Sequence, residues 1–134
     1  MRIDLILQPH HSVVEMTRLG KLAESYGLAA VWVPNNIQSL DPFVSFVPLA
    51  QQTTRLRMGP IAVSPFELHP LRMANLLLTL NELAGGRATI VVGGGGGTLE
   101  AMGMKPKRMV RAVRECVEIL KQAASRKPGG YKGE

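Results

Sequence analysis

The sequence predicts an α/β fold built on a parallel β-sheet, and three observations predict it. Apolar segments suited to β-strands recur roughly every 30 residues along the chain. A segment with apolar residues at helical spacing follows each of them. The strand segments are almost continuously apolar, as expected when both faces of a parallel sheet are covered. The four predicted strands span residues 3–7, 30–33, 56–62 and 88–92.

Local signals justify the helix between each pair of strands. Ser12 is a plausible N-cap for a first helix over 13–26, and Gly27 suits its left-handed exit. Asp41 caps a second helix that opens with Pro42 and continues to residue 50. A third helix begins at Pro70 and stops at the Gly85-Gly86 pair, and a last one runs over 107–126. The tail over 127–134 has turn chemistry and little to bury, which predicts a flexible end.

Apolar residues at helical spacing define the predicted buried faces. On the first helix this face includes Leu22 and Tyr26, on the second Val44, and on the last Val110. Right-handed crossovers then place the helices on the sheet. Either an open doubly wound sheet or part of an eight-stranded barrel satisfies this pattern.

Composition places the chain among ordinary globular domains. It has 134 residues, of which 46% are hydrophobic, and no run long and apolar enough for a membrane helix. The start MRIDLIL is too short and too charged for a signal peptide, so we expect a cytoplasmic protein without membrane contact. The single cysteine, Cys116, lies among apolar helix positions and is interpreted as a buried core residue.

The formal charge of +6 raises the question of nucleic-acid binding. The basic excess lies after residue 100, largely in KPKRMVRAVR, around the apolar stripe of the last helix. No aromatic residues are interleaved for base stacking. A solvated helix face, facing an anionic substrate or partner, is therefore the preferred interpretation, and a nucleic-acid partner is not predicted.

Five consecutive glycines, at 93–97, follow the fourth predicted strand. The dinucleotide fingerprint needs glycines at i, i+2 and i+5, and here Thr98 or Leu99 occupies the last position. No Gly-Lys-Ser/Thr follows, so a Walker loop is excluded as well. The run instead suits a strand end where the backbone passes close to a flat ligand or offers amides to an anion. A flexible turn without a ligand is the simpler alternative.

Candidate chemical groups are few. His10 and His11 follow the first strand, where catalytic groups of barrels collect, while His69 suits a helix-entry residue. Glu67, after the third strand, is a candidate acid or base, although an exposed loop carboxylate is the simpler interpretation. Arg87 suits a structural salt bridge, with an acid such as Glu82. No metal-ligand spacing occurs, and no metal site is predicted.

Three segments together carry a family resemblance: DPFVSFVPLAQQTTRLRMGP, HPLRMANLLLTLNELAGGRATIVVGGGGG, and EAMGM followed by RAVRECVEILK. They resemble the bacterial luciferase-like superfamily, most of all its branch dependent on the deazaflavin coenzyme F420, which includes methylenetetrahydromethanopterin reductases. The resemblance implies the amino-terminal half of a TIM barrel, parallel (βα)4, with FMN or F420 bound at the carboxyl ends of the strands. It also implies oxidoreductase chemistry on a small-molecule substrate.

Particular residues follow from the resemblance. It implies a bulge and a non-proline cis peptide, between Ile61 and Ala62, that support the tricyclic ring together with Val63 and Ser64. Gly93, Gly94 and Gly95 would line the same pocket, and residues 8–11 with Asn35 and Asn36 would form its rim. Many deazaflavin-dependent relatives carry an Asp-His pair after strand two. Here Asn35-Asn36 stands there, so the catalytic residue is open among His10, His11, Asn36 and Glu67.

A TIM barrel needs roughly 250 residues, and this chain supplies four βα units. Half a barrel exposes the inner face and two edges of its sheet. We therefore expect the chain to pair with a second copy or a complementing half-barrel, or to be one piece of a longer protein. We expect this length alone to be inactive. The alternatives are a non-catalytic half-barrel module for assembly and an open Rossmann-like nucleotide binder, whose sheet order would reverse at strand one.

Overall fold

The structure, a computed structural model, describes residues 1–125 and confirms a parallel α/β fold. The predicted tail over 127–134 lies outside the described residues. All neighbouring strands are parallel, and their order in the sheet is their order in the chain. The strands are β1 (Asp4–Ile6), β2 (Ala30–Pro34), β3 (Arg57–Val63) and β4 (Val91–Val92).

The sequential strand order decides between the two closures left open by the sequence. A doubly wound sheet reverses its direction of growth at a switch point, whereas a barrel adds each new strand beside the last one. Here β2 lies between β1 and β3, and β4 pairs with the far side of β3. The Rossmann-like alternative is therefore wrong.

Helices connect the strands and begin largely where the sequence predicts. The Ser12 hydroxyl accepts a hydrogen bond from the Glu15 amide, and the Asp41 carboxylate accepts one from the Val44 amide at 2.9 Å. Gly27 has a φ of 76°, as its predicted left-handed exit requires. The helices are α1 (Val13–Ser25), α2 (Pro42–Ser45), α3 (Val47–Gln52), α4 (Pro70–Leu83), α5 (Gly97–Ala101) and α6 (Met109–Ala124).

Two predicted elements differ from the structure. The single helix expected over 42–50 is divided into α2 and α3 at Phe46, because Pro48 has no amide to bond the carbonyl of Val44. The strand predicted over 88–92 is regular only at Val91–Val92, with one isolated bridge from Ala88 to Met58. The short helix α5 was not predicted.

The hydrophobic core lies between the sheet and the helices. Leu7, Val31 and Met58, on one sheet face, are buried with residues of α1, α3, α4 and α6. The opposite face carries Ile6 and Trp32, and Ile6 is 54% exposed. The described residues therefore cover one face of the sheet well and the other only in part.

The predicted buried faces of the helices are too wide. Leu22, Tyr26, Val44 and Val110 are all exposed. On α1 the contact with the core is made by Met16, Thr17, Gly20 and Ala23, and Gly20 lies directly against the Leu49 side chain of α3. Close approach of the two helices buries this narrow stripe and leaves the flanking apolar residues outside. Cys116 is fully buried as predicted, and burial raises the pKa of its thiol to about 11.

Within residues 1–125 Arg87 forms no salt bridge, contrary to the prediction. Its guanidinium donates hydrogen bonds to the carbonyl oxygens of Ala50, Thr53 and Leu56 and to the Thr53 hydroxyl, over 2.7–2.9 Å. These acceptors lie at the end of α3 and just before β3. Arg87 thus ties that turn to the segment that leads into β4, using the fixed fork of donors that an arginine side chain provides.

The Glu24 carboxylate at the end of α1 binds the same turn between α3 and β3. One of its oxygens accepts hydrogen bonds from the amides of Thr54, Arg55 and Leu56, at 2.9, 2.6 and 2.8 Å. Partial burial alone would raise the pKa of Glu24, but these amide donors outweigh it and lower the pKa below the ordinary 4.5. The ionised form is therefore favoured in the folded protein.

We expect Glu24→Gln to reduce the free energy of unfolding at pH 7 by about 1–3 kcal/mol, because charged acceptors bind amides more strongly than neutral ones. A group with a depressed pKa stabilises the fold above its unfolded pKa and loses this effect as pH falls through its folded pKa. The difference in unfolding free energy between the two proteins should thus shrink as pH falls below 4.5, the ordinary pKa of a glutamate. Urea unfolding at pH 7 and pH 3 measures it. Glu82→Gln on the exposed side of α4 is the matched control, and an equal loss there would contradict the account.

Candidate functional site

A cavity of about 630 Å³ opens at the carboxyl ends of the strands. Loops after β1, β2, β3 and β4 all contribute to it, as does α5. The carboxyl ends of parallel strands lie at the same edge of a sheet, which is why residues distant in sequence meet here. The lining residues are Pro9, His10, Asn35, Asn36, Ile37, Gln38, Ser39, Ile61, Ala62, Glu67, Gly95, Gly97, Thr98 and Ala101.

One wall of the cavity is the irregular end of β3. The peptide bond between Ile61 and Ala62 is cis, as the resemblance implied. The register with β4 shifts between Ile61 and Val63, so the strand also carries the expected bulge. The Ile61 carbonyl accepts a hydrogen bond from the Asn35 amide. The Ala62 side chain is exposed toward the cavity.

The glycine segment lies beside this wall. The Gly93 amide donates a hydrogen bond to the Val63 carbonyl at 3.0 Å, and a Cβ on Gly93 would lie only 2.9 Å from the Ala62 Cβ. Gly95 has a φ of 109°, and a side chain there would also overlap Leu99. Bare backbone at these positions leaves an open surface next to Ala62. The β3 bulge and the glycine segment therefore border the same cavity.

Not all of the residues implied to bind a cofactor line this cavity. The residues of this set that line it are Ile61, Ala62 and Gly95. Gly93 and Gly94 do not line it, and they connect β4 to Gly95. The side chains of Val63 and Ser64 are buried and do not line it. The Ser64 hydroxyl instead accepts a hydrogen bond from the Phe66 amide, which shapes the loop after β3.

The histidines fall into two groups. His10 lines the cavity, whereas His11 does not, although the two rings lie 4.8 Å apart. The Nδ1 atom of His69 accepts a hydrogen bond from the Leu71 amide, which confirms a helix-entry residue. Of the two adjacent histidines, the structure thus places only His10 among the candidate site residues.

Glu67 and Asn35 form a pair across the cavity wall. The Asn35 side-chain amide donates a hydrogen bond of 2.8 Å to the Glu67 carboxylate. Glu67 is partly buried, so the simpler interpretation of it as an exposed loop carboxylate is wrong. Burial raises the pKa of Glu67 above its ordinary value, although hydrogen bonds with the Ser64 backbone and Asn35 oppose this.

Sequence reasoning missed the part of the wall that α5 and the loop after β2 supply. Thr98 and Ala101 come from a helix too short for apolar periodicity to reveal, and its N-cap is Gly96, which offers no side-chain signal. Ile37, Gln38 and Ser39 belong to a turn in which the Ser39 hydroxyl donates to the Asn36 carbonyl. Asn-Asn followed by Ser was recognisable as a turn, but not as a cavity wall.

Within residues 1–125 no group of three or more His, Cys, Asp and Glu side chains is arranged to hold a metal ion. The same part of the chain has no helix with the length and apolarity needed to cross a membrane.

A family model described as luciferase-like monooxygenase matches residues 1–134. The chain belongs to this family. It is 29% identical over its whole length to a 5,10-methylenetetrahydromethanopterin reductase from Archaeoglobus fulgidus, of which the alignment covers 41%. A similar reductase from Methanolobus tindarius is 26% identical over 90% of the chain and 37% of its own length.

Two solved structures superpose well on the fold of the described residues. The coenzyme F420-dependent tetrahydromethanopterin reductase from Methanopyrus kandleri matches with a TM-score of 0.91 and 25% identity, over 98% of this chain and 42% of that one. The oxygenating constituent of 3,6-diketocamphane monooxygenase from Pseudomonas putida, solved with FMN, has a TM-score of 0.81, covering 100% and 42% at 20% identity, which shows the fold alone. The chain thus has the fold of a luciferase-like TIM barrel over four βα units and spans about two fifths of these relatives.

Proposed function

We propose that this chain forms the ring-binding half of a flavin- or deazaflavin-dependent oxidoreductase, either a reductase or a monooxygenase. The observation that carries the proposal is the meeting of the Ile61-Ala62 bulge and the Gly93–Gly97 segment at one cavity. The names of the relatives support the reaction class, since they include an F420-dependent reductase and a monooxygenase solved with FMN.

The wall fits a flat tricyclic ring. Ala62 presents a single methyl group, and the backbone at Gly95 and Gly97 presents no side chain, so a planar ligand can approach closely. A cavity of about 630 Å³ lies within the usual range for small-molecule sites, which is about 300–1,000 Å³. Neither feature distinguishes FMN from F420, and both remain candidates.

The ring would supply hydride chemistry, or chemistry with oxygen when reduced flavin is used. The residues of this chain orient it and exclude water from one of its faces. Ile61 and Ala62 would support that face, while Asn36, Thr98 and His10 would contact its edges or the substrate. In this proposal the substrate is a small molecule that enters from the open side of the cavity.

A complete catalytic site would also need the remaining strands of a barrel, from a further segment or from another chain. The exposed Ile6 on the partly covered sheet face supports a second candidate function, a half-barrel module that assembles with itself or with a partner chain. Analytical ultracentrifugation measures whether the chain associates with itself. A well-folded monomer at micromolar concentration would contradict self-assembly.

Fluorescence titration of the protein with FMN and with F420 tests the proposed function. We expect saturable quenching with one of the two ligands, because each cofactor has a different ring edge and tail. Riboflavin, which has the flavin ring without the phosphate, is the matched control for ring binding. No saturable signal with either cofactor at millimolar concentration would overturn the proposal for this chain.

A further inference from the structure

Few groups in the cavity can carry a proton. Among the described residues that line it, His10 and Glu67 are the ones with ionisable side chains. His10 is exposed to solvent, whereas Glu67 is partly buried. The two asparagines after β2 do not titrate at all.

Glu67 is held in one place by its neighbours. Its backbone amide donates to the Ser64 carbonyl at 3.1 Å, which closes the turn after β3. Its carboxylate accepts the hydrogen bond of 2.8 Å from Asn35. The Asn35 backbone amide in turn donates to the Ile61 carbonyl, which belongs to the cis peptide group itself. Glu67, Asn35 and the wall for the ring therefore form one connected unit.

We propose that Glu67 is the catalytic residue that exchanges a proton with the bound ring, and that Asn35 is its positioning residue. This inference rests on the proposed function, because it needs a flavin or deazaflavin in the cavity. It assigns a specific role to a carboxyl group that the family comparison leaves without one.

The proton balance is simple. When a substrate carbon–hydrogen bond breaks and its hydride passes to the oxidised ring, the Glu67 O–H bond breaks and its proton passes to a ring nitrogen. The substrate loses two electrons, and the ring gains two electrons and two hydrogens. The substrate's hydroxyl or amine proton, released as its carbon–oxygen or carbon–nitrogen double bond forms, would then restore the proton on the Glu67 carboxylate. The reverse sequence reduces a substrate whose carbon–oxygen or carbon–nitrogen double bond accepts hydride.

Partial burial raises the pKa of Glu67 and so favours the protonated state that this role requires, since burial disfavours the charged carboxylate. The hydrogen bond from the Asn35 amide lowers the pKa of Glu67, because it favours the charged carboxylate. Of the charged or titratable side chains on the bordering elements, His10 alone also lines the cavity. The others on those described elements are His11, Asp41, His69, Arg72 and Glu100.

The first arm of the test measures the protonation of Glu67 in the ligand-free protein. Carbon-13 NMR of labelled glutamate carboxyl groups, assigned with Glu67→Gln, gives its titration midpoint. We expect a midpoint above 4.5, the ordinary value. In Asn35→Asp a second carboxylate replaces the donor and should raise the midpoint by a further unit or so. An unchanged midpoint in Asn35→Asp would overturn the positioning role.

The second arm measures affinity for FMN and F420 and the reduction potential of the bound cofactor between pH 5 and pH 9. In the wild type we expect a break in the potential's pH dependence at the Glu67 midpoint. Glu67→Gln keeps an acceptor for Asn35 but has no proton to exchange, so it should lose this break while its affinity changes less than about threefold. His10→Gln should retain the break.

The outcomes separate the two proposals. If a cofactor binds and the break persists in Glu67→Gln, the proton-exchange role is wrong while the proposed function stands. If neither cofactor binds the wild type, the proposed function fails, and with it the ring as the proton partner of Glu67. Loss of the break in His10→Gln alone would assign the role to His10 instead.

Discussion

Gly59→Ala is expected to lower the free energy of unfolding by about 3 kcal/mol or more, through a clash that cannot be relieved locally. Gly59 is buried in the middle of β3, and a Cβ built on it would overlap the backbone carbonyl oxygen of Thr89. The Thr89 amide donates a hydrogen bond to the Met58 carbonyl, which fixes the backbone at Thr89. The Thr89 carbonyl therefore cannot turn away freely. The substitution should therefore separate the Ala88–Val92 segment from β3.

Urea unfolding followed by circular dichroism measures this loss. Gly97→Ala is the matched control, because a Cβ at Gly97 meets no atom within 4 Å and the residue begins α5. That variant should stay within about 0.5 kcal/mol of the wild type. Equal stability of Gly59→Ala and the wild type would show that the close approach of β3 to Thr89 is wrong.

Ala62→Phe is expected to reduce affinity for FMN or F420 by at least about 30-fold while leaving stability nearly unchanged. The Ala62 side chain is exposed and lines the cavity, so a phenyl group can enter the empty space without disturbing the core. It would then occupy the position proposed for the ring. A 30-fold change corresponds to about 2 kcal/mol of binding free energy.

Fluorescence titration and thermal unfolding of the same variant separate the two effects. Ala124→Phe adds the same side chain at an exposed position near the end of α6, far along the chain from the cavity loops, and should bind like the wild type. Wild-type affinity in Ala62→Phe would mean that the ring binds elsewhere.

Most of the fold could be predicted from the sequence because its signals are local. Ser12, Asp41 and the Gly85-Gly86 pair mark helix ends through short-range hydrogen bonds and backbone conformation. The closure of the sheet could not be predicted from such signals. It depends on which strands pair over long sequence separations, and the family resemblance supplied the correct choice before the strand order confirmed it.

The candidate site was predictable where backbone geometry has a family pattern and less so where side chains meet across loops. The bulge and cis peptide at Ile61-Ala62 followed from the resemblance. The contact of Asn35 with Glu67 joins residues 32 positions apart, and no periodicity or capping rule indicates it. Arg87 was misassigned for a related reason, because its acceptors are carbonyl oxygens that every residue carries.

The central claim, that a flat redox ring lies between the Ile61-Ala62 bulge and the glycine segment, is tested most directly by amide NMR of the labelled protein during titration with FMN or F420. The account predicts that the largest shifts fall on Ala62, His10, Gly95, Gly97 and Thr98, which line one cavity. Shifts confined to other surfaces, or no shifts at millimolar ligand, would contradict it.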